Sequence, residues 1–323
     1  MTTKRIVVIG SVNADFVVEV DRLPARGETI AASKTDTGRF FPGGKGANQA
    51  AAVARLAAET QELTCEFVGQ FGNDAAGAEL QKALQAVGVR TERSGHPACP
   101  SGQAFVFVYP DGDNSIIIVG GANATWPTAL APEVLDAINS ASIVMLQCEI
   151  PAEVNYEIAR AAALAKVPVM WDCGGEDRAI PTEILPLITY LCPNETELAR
   201  LTNKAVGNLE EAIDAARTLQ SQGANNILVT LGSLGSVFVP ANKEETPVHQ
   251  PCFRVDTVVD TTGAGDCFRG AFATARAGFG KSIQESLAFA AAASARCVQV
   301  AGAMPSMPTA ADTVALLQAN ASK

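Results

Sequence analysis

Three short segments hold residues that could do chemistry together. The first is Asp260-Thr261-Thr262-Gly263-Ala264-Gly265-Asp266-Cys267-Phe268. Hydropathy places it between a predicted strand at 255–260 and a helix from about Gly265 to Ala277. Small residues at 263–265 let the backbone turn sharply and pass close to a ligand. N–H groups at a helix start face outward with the positive end of the dipole, which suits a transferring phosphoryl group. Asp266, in the first helical turn, is ionised at neutral pH unless perturbed, and could accept a proton from an attacking hydroxyl. Taken alone, the segment reads more readily as a Gly-rich turn with Asp266 as a dipole partner.

The second segment is Gly43-Gly44-Lys45-Gly46-Ala47-Asn48. It is neither a G-x-x-x-x-G-K-[ST] loop nor a G-x-G-x-x-G fingerprint. The third is Gly10-Ser11-Val12-Asn13-Ala14-Asp15. Asn13 and Asp15 leave a buried strand two residues apart, so their side chains share a face. An amide and a carboxylate together can donate to and accept from the hydroxyls of a sugar. A turn-facing Asn/Asp pair is the alternative.

These segments need elements to position them. Residues 5–10 read as a buried strand and 11–20 as extended chain. An alanine-rich helix follows Gly46 to about Ala58, then a strand at 66–70 and a helix at 74–86 capped by Asp74. Residues 103–109 and 115–119 flank Pro110-Asp111-Gly112-Asp113-Asn114, a hairpin with turn chemistry in the middle. Strands at 143–147, 167–171, 188–192 and 226–231 then alternate with helices at 151–164, from Asn194, and at 209–220. A short hairpin spans 232–239, and a last long helix covers 283–297. Such alternation implies a mainly parallel sheet with helices on both faces. The extended segment and the 103–119 hairpin break it and form a small inserted β-sheet.

Composition narrows the function classes. The chain has 323 residues, with 24 Lys+Arg against 34 Asp+Glu and a net charge of −10. That balance argues against a nucleic-acid face. No apolar run approaches the ~20 residues of a membrane span, and the N-terminus lacks a signal-peptide pattern. The eight cysteines form no C-x-x-C pair and read as buried free thiols of a reducing compartment, so the cytoplasm is expected. With only two histidines, a Cys/His zinc site is not expected.

In this order and at these distances, the three segments resemble the PfkB-type, ribokinase-like carbohydrate kinases. The resemblance runs from Val7 to about Pro308, and Gly263-Ala264-Gly265-Asp266 is its most specific motif. It implies a three-layer α/β/α domain with a lid sheet built from about 11–40 and 100–123. It also implies ATP-dependent phosphorylation of a sugar, with Mg2+ and K+ as cofactors. Asp266 would be the base, and Gly263, Ala264 and Gly265 the anion hole. Asn13, Ala14, Asp15, Gly44, Lys45, Gly46, Ala47, Asn48 and Glu149 would hold the sugar. Within the family, Lys45 in Gly43-Gly44-Lys45-Gly46-Ala47-Asn48-Gln49-Ala50 points to D-ribose, phosphorylated at its 5-hydroxyl.

For the nucleotide, the resemblance implies Asn194, the loop Thr230-Leu231-Gly232-Ser233-Leu234-Gly235, Gly265 and Asp266, with adenine near Ala291. Asn194 and Glu197 would organise magnesium through water. Asp260, Thr262, Cys297, Val300, Gly302 and Ser306 would hold potassium, mostly by carbonyls. Pairing of two lid sheets would give a homodimer.

Four features depart from the pattern or from the sequence reading. Residues 60–64 read as a surface insertion. The stretch 171–177 stands as a loop where many family members carry a Pro-rich one. Ala291 occupies a position where a His can stand. Arg269 reads as a surface group rather than an added phosphate contact. Competing functions are another kinase of the family acting on fructose, deoxyribose or a nucleoside, a non-catalytic sugar binder, and an NAD-binding oxidoreductase. Against the last, Gly-Ser-Val-Asn-Ala-Asp replaces the glycine fingerprint after the first strand.

Overall fold

The computed structural model describes residues 3–33, 40–111, 113–127 and 129–321. The part of the expected lid at 34–39 therefore lies outside the described residues. Twelve strands and nine α-helices are described. They run β1 (Lys4–Ile9), β2 (Asn13–Glu19), β3 (Phe40–Gly43), α1 (Lys45–Ala57), β4 (Leu63–Val68), α2 (Ala75–Ala86), β5 (Gly102–Val108), β6 (Asn114–Val119) and α3 (Pro132–Asn139). They continue with β7 (Ile143–Cys148), α4 (Ala152–Leu164), β8 (Val169–Gly175), β9 (Tyr190–Cys192), α5 (Glu195–Thr202), α6 (Leu209–Ser221) and β10 (Asn226–Thr230). The last are β11 (Ser236–Val239), β12 (Val248–Gln250), α7 (Ala264–Ala273), α8 (Ile283–Cys297) and α9 (Ala310–Ala321).

The large sheet has the order β12-β11-β10-β9-β8-β7-β1-β4. It is parallel from β4 to β10, and the β10–β11 and β11–β12 pairs are antiparallel. Parallel strands covered on both faces read as continuous apolar runs, as Ile-Val-Val-Ile in β1 and Ile-Val-Met-Leu in β7 do. One core cluster packs α1, α7 and α8 on one face, and a second packs α3 to α6 on the other. Three layers result. The neighbours of β1 are β4 on one side and β7 on the other, so the chain reverses its direction of winding there. A crevice at the carboxyl ends of such strands is where ligands bind in open α/β sheets.

The small sheet has the order β3-β2-β5-β6. Its central pair β2–β5 is parallel, and the outer pairs are antiparallel. Phe16 stacks on Phe105 at 5.4 Å, with Phe40 at 6.0 Å from Phe16. Phe41 and the apolar run 116–119 of β6 are exposed; Ile117 and Val119 lie on the Phe16–Phe105 face, and Ile116, Ile118 and Phe41 on the opposite one.

Several sequence expectations need correction. No strand forms at 255–260; Val258 and Val259 are exposed, and the N–H groups of Val259 and Asp260 donate to the Val298 carbonyl at the end of α8. The sheet takes β12 instead. Residues 60–64 are not wholly an insertion, because β4 begins at Leu63, whose side chain is buried. The stretch 171–177 is not simply a loop, since residues 171–175 complete β8. The helices α3 and α9 were not expected. Among the thiols, Cys252 is exposed and Cys99 half-buried, and none of the eight is paired in a disulfide.

Candidate functional site

The three segments meet at the β1/β7 junction. Gly10 ends β1, and β7 delivers Glu149. The Glu149 Oε2 accepts from Ser11 Oγ at 2.5 Å and from the Lys45 N–H at 2.9 Å. The Gly46 N–H donates to Ser11 Oγ at 3.3 Å. Ser11, which the sequence reading passed over, thus joins the first strand to the start of α1. Burial raises the Glu149 carboxyl above the ordinary range, against the pull of Lys45 and Ser11.

Asp15 lies against the backbone of β3. A Cβ on Gly43 would stand 1.8 Å from Asp15 Oδ2, so only glycine leaves room for this carboxylate. Its Oδ1 is buried with no hydrogen-bond partner. Burial, with added repulsion from Glu149 and Asp266, pushes the Asp15 carboxyl up to about 8. Asn13 is held by Asn123, which also takes both backbone groups of Val12: Nδ2 donates to Asn13 Oδ1 at 2.7 Å and to the Val12 carbonyl at 3.0 Å, and Oδ1 accepts from the Val12 N–H at 3.0 Å. A cavity of about 340 Å³ opens between the two sheets here, lined by Asn13, Ile118, Asn123, Glu149 and Arg178.

Asp266 occupies the first turn of α7. Gly263 caps that helix at φ 76°, a left-handed conformation, and no side chain caps the first turn. The exposed amides therefore keep the positive helix end open. The Ala264 N–H is drawn back to the Thr261 carbonyl at 3.1 Å. The Asp266 carboxylate is buried and held by two amides: Asn48 Nδ2 donates to Oδ2 at 3.0 Å, and Gln49 Nε2 to Oδ1 at 3.1 Å. Burial raises its carboxyl, the Lys45 ammonium pulls the other way, and the charge of Asp172 raises it further. A raised carboxyl is a better proton acceptor when ionised. Asn48 Oδ1, like Asp15 Oδ1, is buried without a donor.

Behind these groups lies a polar layer that the sequence did not reveal. Gln49 Nε2 also donates to Asp172 Oδ2 at 2.8 Å, and Gln147 Nε2 fixes Gln49 Oε1 at 2.9 Å. Asp172 is paired with Arg269 at 3.1 Å. Arg269 is 4% exposed, which overturns its reading as a surface group. The Lys45 ammonium lies beside Gly174 and Glu197, since a Cβ on Gly174 would stand 2.7 Å from Lys45 Nζ and 2.9 Å from Glu197 Oε1. Burial opposes that charge, but Asp172, Asp266 and Glu149 outweigh it and hold the amine above its ordinary range. Lys45 thus turns its backbone to the Glu149 side and its charge to the α5 side.

Further along the strand ends, Asn194 caps α5 in a reciprocal box with Glu197. Asn194 Oδ1 accepts from the Glu197 N–H at 2.7 Å, and Glu197 Oε2 accepts from the Asn194 N–H at 2.8 Å. The Thr230 N–H donates to the Pro193 carbonyl at 3.1 Å, which sets the 230–235 loop beside Asn194. That loop is a tight β10–β11 connection through a 3₁₀ turn at Gly232–Leu234. Leu231 is buried at its start, Ser233 and Leu234 are exposed, and the Gly235 carbonyl accepts from the Leu231 N–H at 2.8 Å. Ala291 is 8% exposed within α8, so the face it offers is small and apolar.

The candidate cation loops also converge. Asp260 accepts from the Thr262 N–H and the Gly302 N–H, both at 2.8 Å, which holds its carboxyl below the ordinary range. Cys297 Sγ meets Ser306 Oγ at 3.0 Å, and the Cys297 carbonyl accepts from the Val300 N–H at 3.1 Å. Among the described residues, no group of three or more His, Cys, Asp or Glu side chains converges as a metal-ligand set. Among the described residues no helix is long and apolar enough to cross a membrane.

Residues 3–310 match the pfkB family carbohydrate kinase. The chain is 46% identical to the ribokinase of Arabidopsis thaliana, over 97% of this chain and 81% of that one. It is 34% identical to the deoxyribokinase of Salmonella typhi, over 83% of this chain and 84% of that one. The solved structure of Arabidopsis thaliana ribokinase complexed with ribose and ATP superposes with a TM-score of 0.89 at 44% identity, covering 98% of this chain and 99% of that one. Three motifs folded around one buried aspartate, and this likeness along almost the whole length, lead to one conclusion: the chain belongs to the pfkB family of carbohydrate kinases.

Proposed function

We infer that this protein is a ribokinase, transferring the γ-phosphate of ATP to the 5-hydroxyl of D-ribose. One observation carries the reading. Asn48 and Asp266, 218 positions apart, are hydrogen-bonded at an open helix N-terminus, and Asp15 Oδ1 and Asn48 Oδ1 beside them lack donors. Sugar hydroxyls are such donors. The likeness to a ribokinase complexed with ribose and ATP supports ribose as the sugar.

In this reading Asn13, Ala14, Asp15, Gly44, Lys45, Gly46, Ala47, Asn48 and Glu149 frame the sugar. Asp266 takes the proton of the attacking hydroxyl. The amides of 263–265 receive the transferring phosphoryl group, where positioning and charge stabilisation do most of the work. Asn194, residues 230–235 and Ala291 hold the nucleotide. Asn194 and Glu197 would hold magnesium through water, and the ion would supply screening of the phosphate charge. The site favours such a cation, because among the described residues Asp15, Glu149, Asp172, Glu197 and Asp266 outnumber the cations near them, Lys45, Arg178 and Arg269. Asp260, Thr262, Cys297, Val300, Gly302 and Ser306 would hold potassium, which would steady the loop ahead of α7. The small sheet closes over the sugar as a lid and excludes water. Its exposed strand β6 pairs with a second copy, which covers an edge. The unpaired thiols fit the cytoplasm.

The test is ADP release with ribose, deoxyribose, fructose and adenosine, each with and without potassium. Ribose is expected to give the highest kcat/KM and potassium to raise it. Preference for deoxyribose would reassign the substrate, and no sugar-dependent ADP would overturn the reading. Light scattering at micromolar concentration checks the dimer.

A further inference from the structure

Arg269 is the only cation on α7, in a helix otherwise made of small and apolar residues and Asp266. A buried guanidinium persists only when its hydrogen bonds and charge are answered. Here three elements answer it. Nε and Nη2 donate to the Cys192 carbonyl at the end of β9, at 3.3 and 2.9 Å. Nη2 pairs with Asp172 Oδ1 of β8 at 3.1 Å and stands 3.7 Å from Glu197 Oε2 of α5. Nη1 lies beneath the first turn of the helix, 2.7 Å from where a Cβ on Gly265 would be.

Asp266 and Arg269 are three residues apart, close enough on a helix to pair directly. They do not. Arg269 pairs with Asp172, whose other oxygen accepts from Gln49, and the same Gln49 nitrogen donates to Asp266 Oδ1. A direct ion pair would occupy an oxygen of Asp266 with a full charge and weaken it as a proton acceptor. The bridge orients that oxygen with a neutral amide and leaves the guanidinium one step away. It also links the base to Glu197, on the side read as the nucleotide's.

We propose that Arg269 and Asp172 are a positioning pair that aims the Asp266 carboxylate through Gln49. The proposal rests on the reading of Asp266 as the base. Both members are buried, so a role limited to charge compensation must be separated from positioning. Replacing a whole buried pair by apolar residues of similar size is often neutral for stability, whereas removing one partner is not. The informative variant is therefore the double one, Arg269→Met with Asp172→Leu. It is compared with Gln49→Met, which leaves the pair intact and removes the bridge, and with Arg269→Lys.

The readouts are melting temperature, kcat, and KM for ribose and for ATP. A misaimed base is expected to lower kcat by about 10²-fold while either KM changes only a few-fold. The double variant and Gln49→Met should both show this loss with a melting temperature close to the parent, and Arg269→Lys should fall between. Parent-like kcat in the folded double variant or in Gln49→Met overturns the proposal. A rise confined to the KM for ATP overturns it too, and makes Arg269 a phosphate contact. Asp266→Ala separates the two readings. If it keeps turnover, the base assignment fails and the relay with it; if it is inactive while the double variant turns over normally, only the relay fails.

Discussion

Glu66 and Asp172 are both acids at 1% exposure beside arginine, one in β4 and one in β8. Glu66 is outnumbered. Arg93 Nη1 reaches its two oxygens at 2.6 and 2.8 Å, and Arg5 Nη1 stands at 3.3 Å. Asp172 is paired with Arg269 and shares its surroundings with three further carboxylates, Glu149, Glu197 and Asp266, and one more cation, Lys45. The first cluster is closed: its negative charge is more than answered and both its oxygens are taken. The second is short of positive charge, and acceptor oxygens next to it have no donor. Burial of an acid therefore does not mark function here; unbalanced charge with open valences does.

Substitutions can break or sharpen that contrast. The largest effect belongs to the open cluster. Asp266→Ala should lower kcat by about 10²–10⁴-fold, with sugar binding largely kept, as measured by ADP release and by sugar titration. Next, Gly43→Ala places a methyl where the Asp15 carboxyl lies and should raise the KM for ribose by about tenfold, since each lost hydrogen bond costs about 0.5–1.5 kcal/mol. In the closed cluster, Glu66→Gln should cost about 1.5–3 kcal/mol in denaturant unfolding and leave kcat within about twofold. An activity loss there as large as that of Asp266→Ala would erase the contrast.

The smallest effect concerns pH. The Asp15 carboxyl titrates at about 8 in the fold against 3.8 when unperturbed. Between those values the unfolded chain has released a proton that the folded chain keeps. Asp15 therefore draws stability away as pH rises from about 4 to 8, and the penalty is constant above that. In the sugar-free protein, Asp15→Asn should be neutral near pH 4 and stabilising by about 1–2 kcal/mol at pH 8, the figure reduced because the side chain is still partly reached by solvent. Urea melts at both pH values check the sign. A variant less stable than the parent at pH 8 would mean that the carboxylate is already answered.

What could be read from sequence was what is contiguous. Each of the three motifs lies within nine residues, and their local geometry follows from glycine content, strand alternation and helix starts. Asp74 and Asn194 cap α2 and α5 as expected. The second layer was hidden because its partners are far apart: Gln49 is 123 residues from Asp172 and 217 from Asp266. Arginine is almost never fully buried unless paired, and nothing near Arg269 in the chain announces its partner. Residues 255–260 are β-branched enough to read as a strand, but propensity does not supply a neighbour. By contrast, α9 carried a usable signal. Thr309 and Asp312 form a reciprocal cap, with the Asp312 N–H donating to Thr309 Oγ1 at 3.2 Å and the Thr309 N–H to Asp312 Oδ2 at 3.3 Å. A Thr-x-x-Asp before helix-forming residues is such a start.

Asn123 spends its whole amide on Val12 and Asn13, the residues through which the chain passes from the large sheet to the small one. A rotation of one sheet against the other must either carry this amide along or break three hydrogen bonds together. An opening that parts Asn123 from Val12 and Asn13 would therefore break all three bonds at once, whereas one that carries Asn123 along leaves them whole.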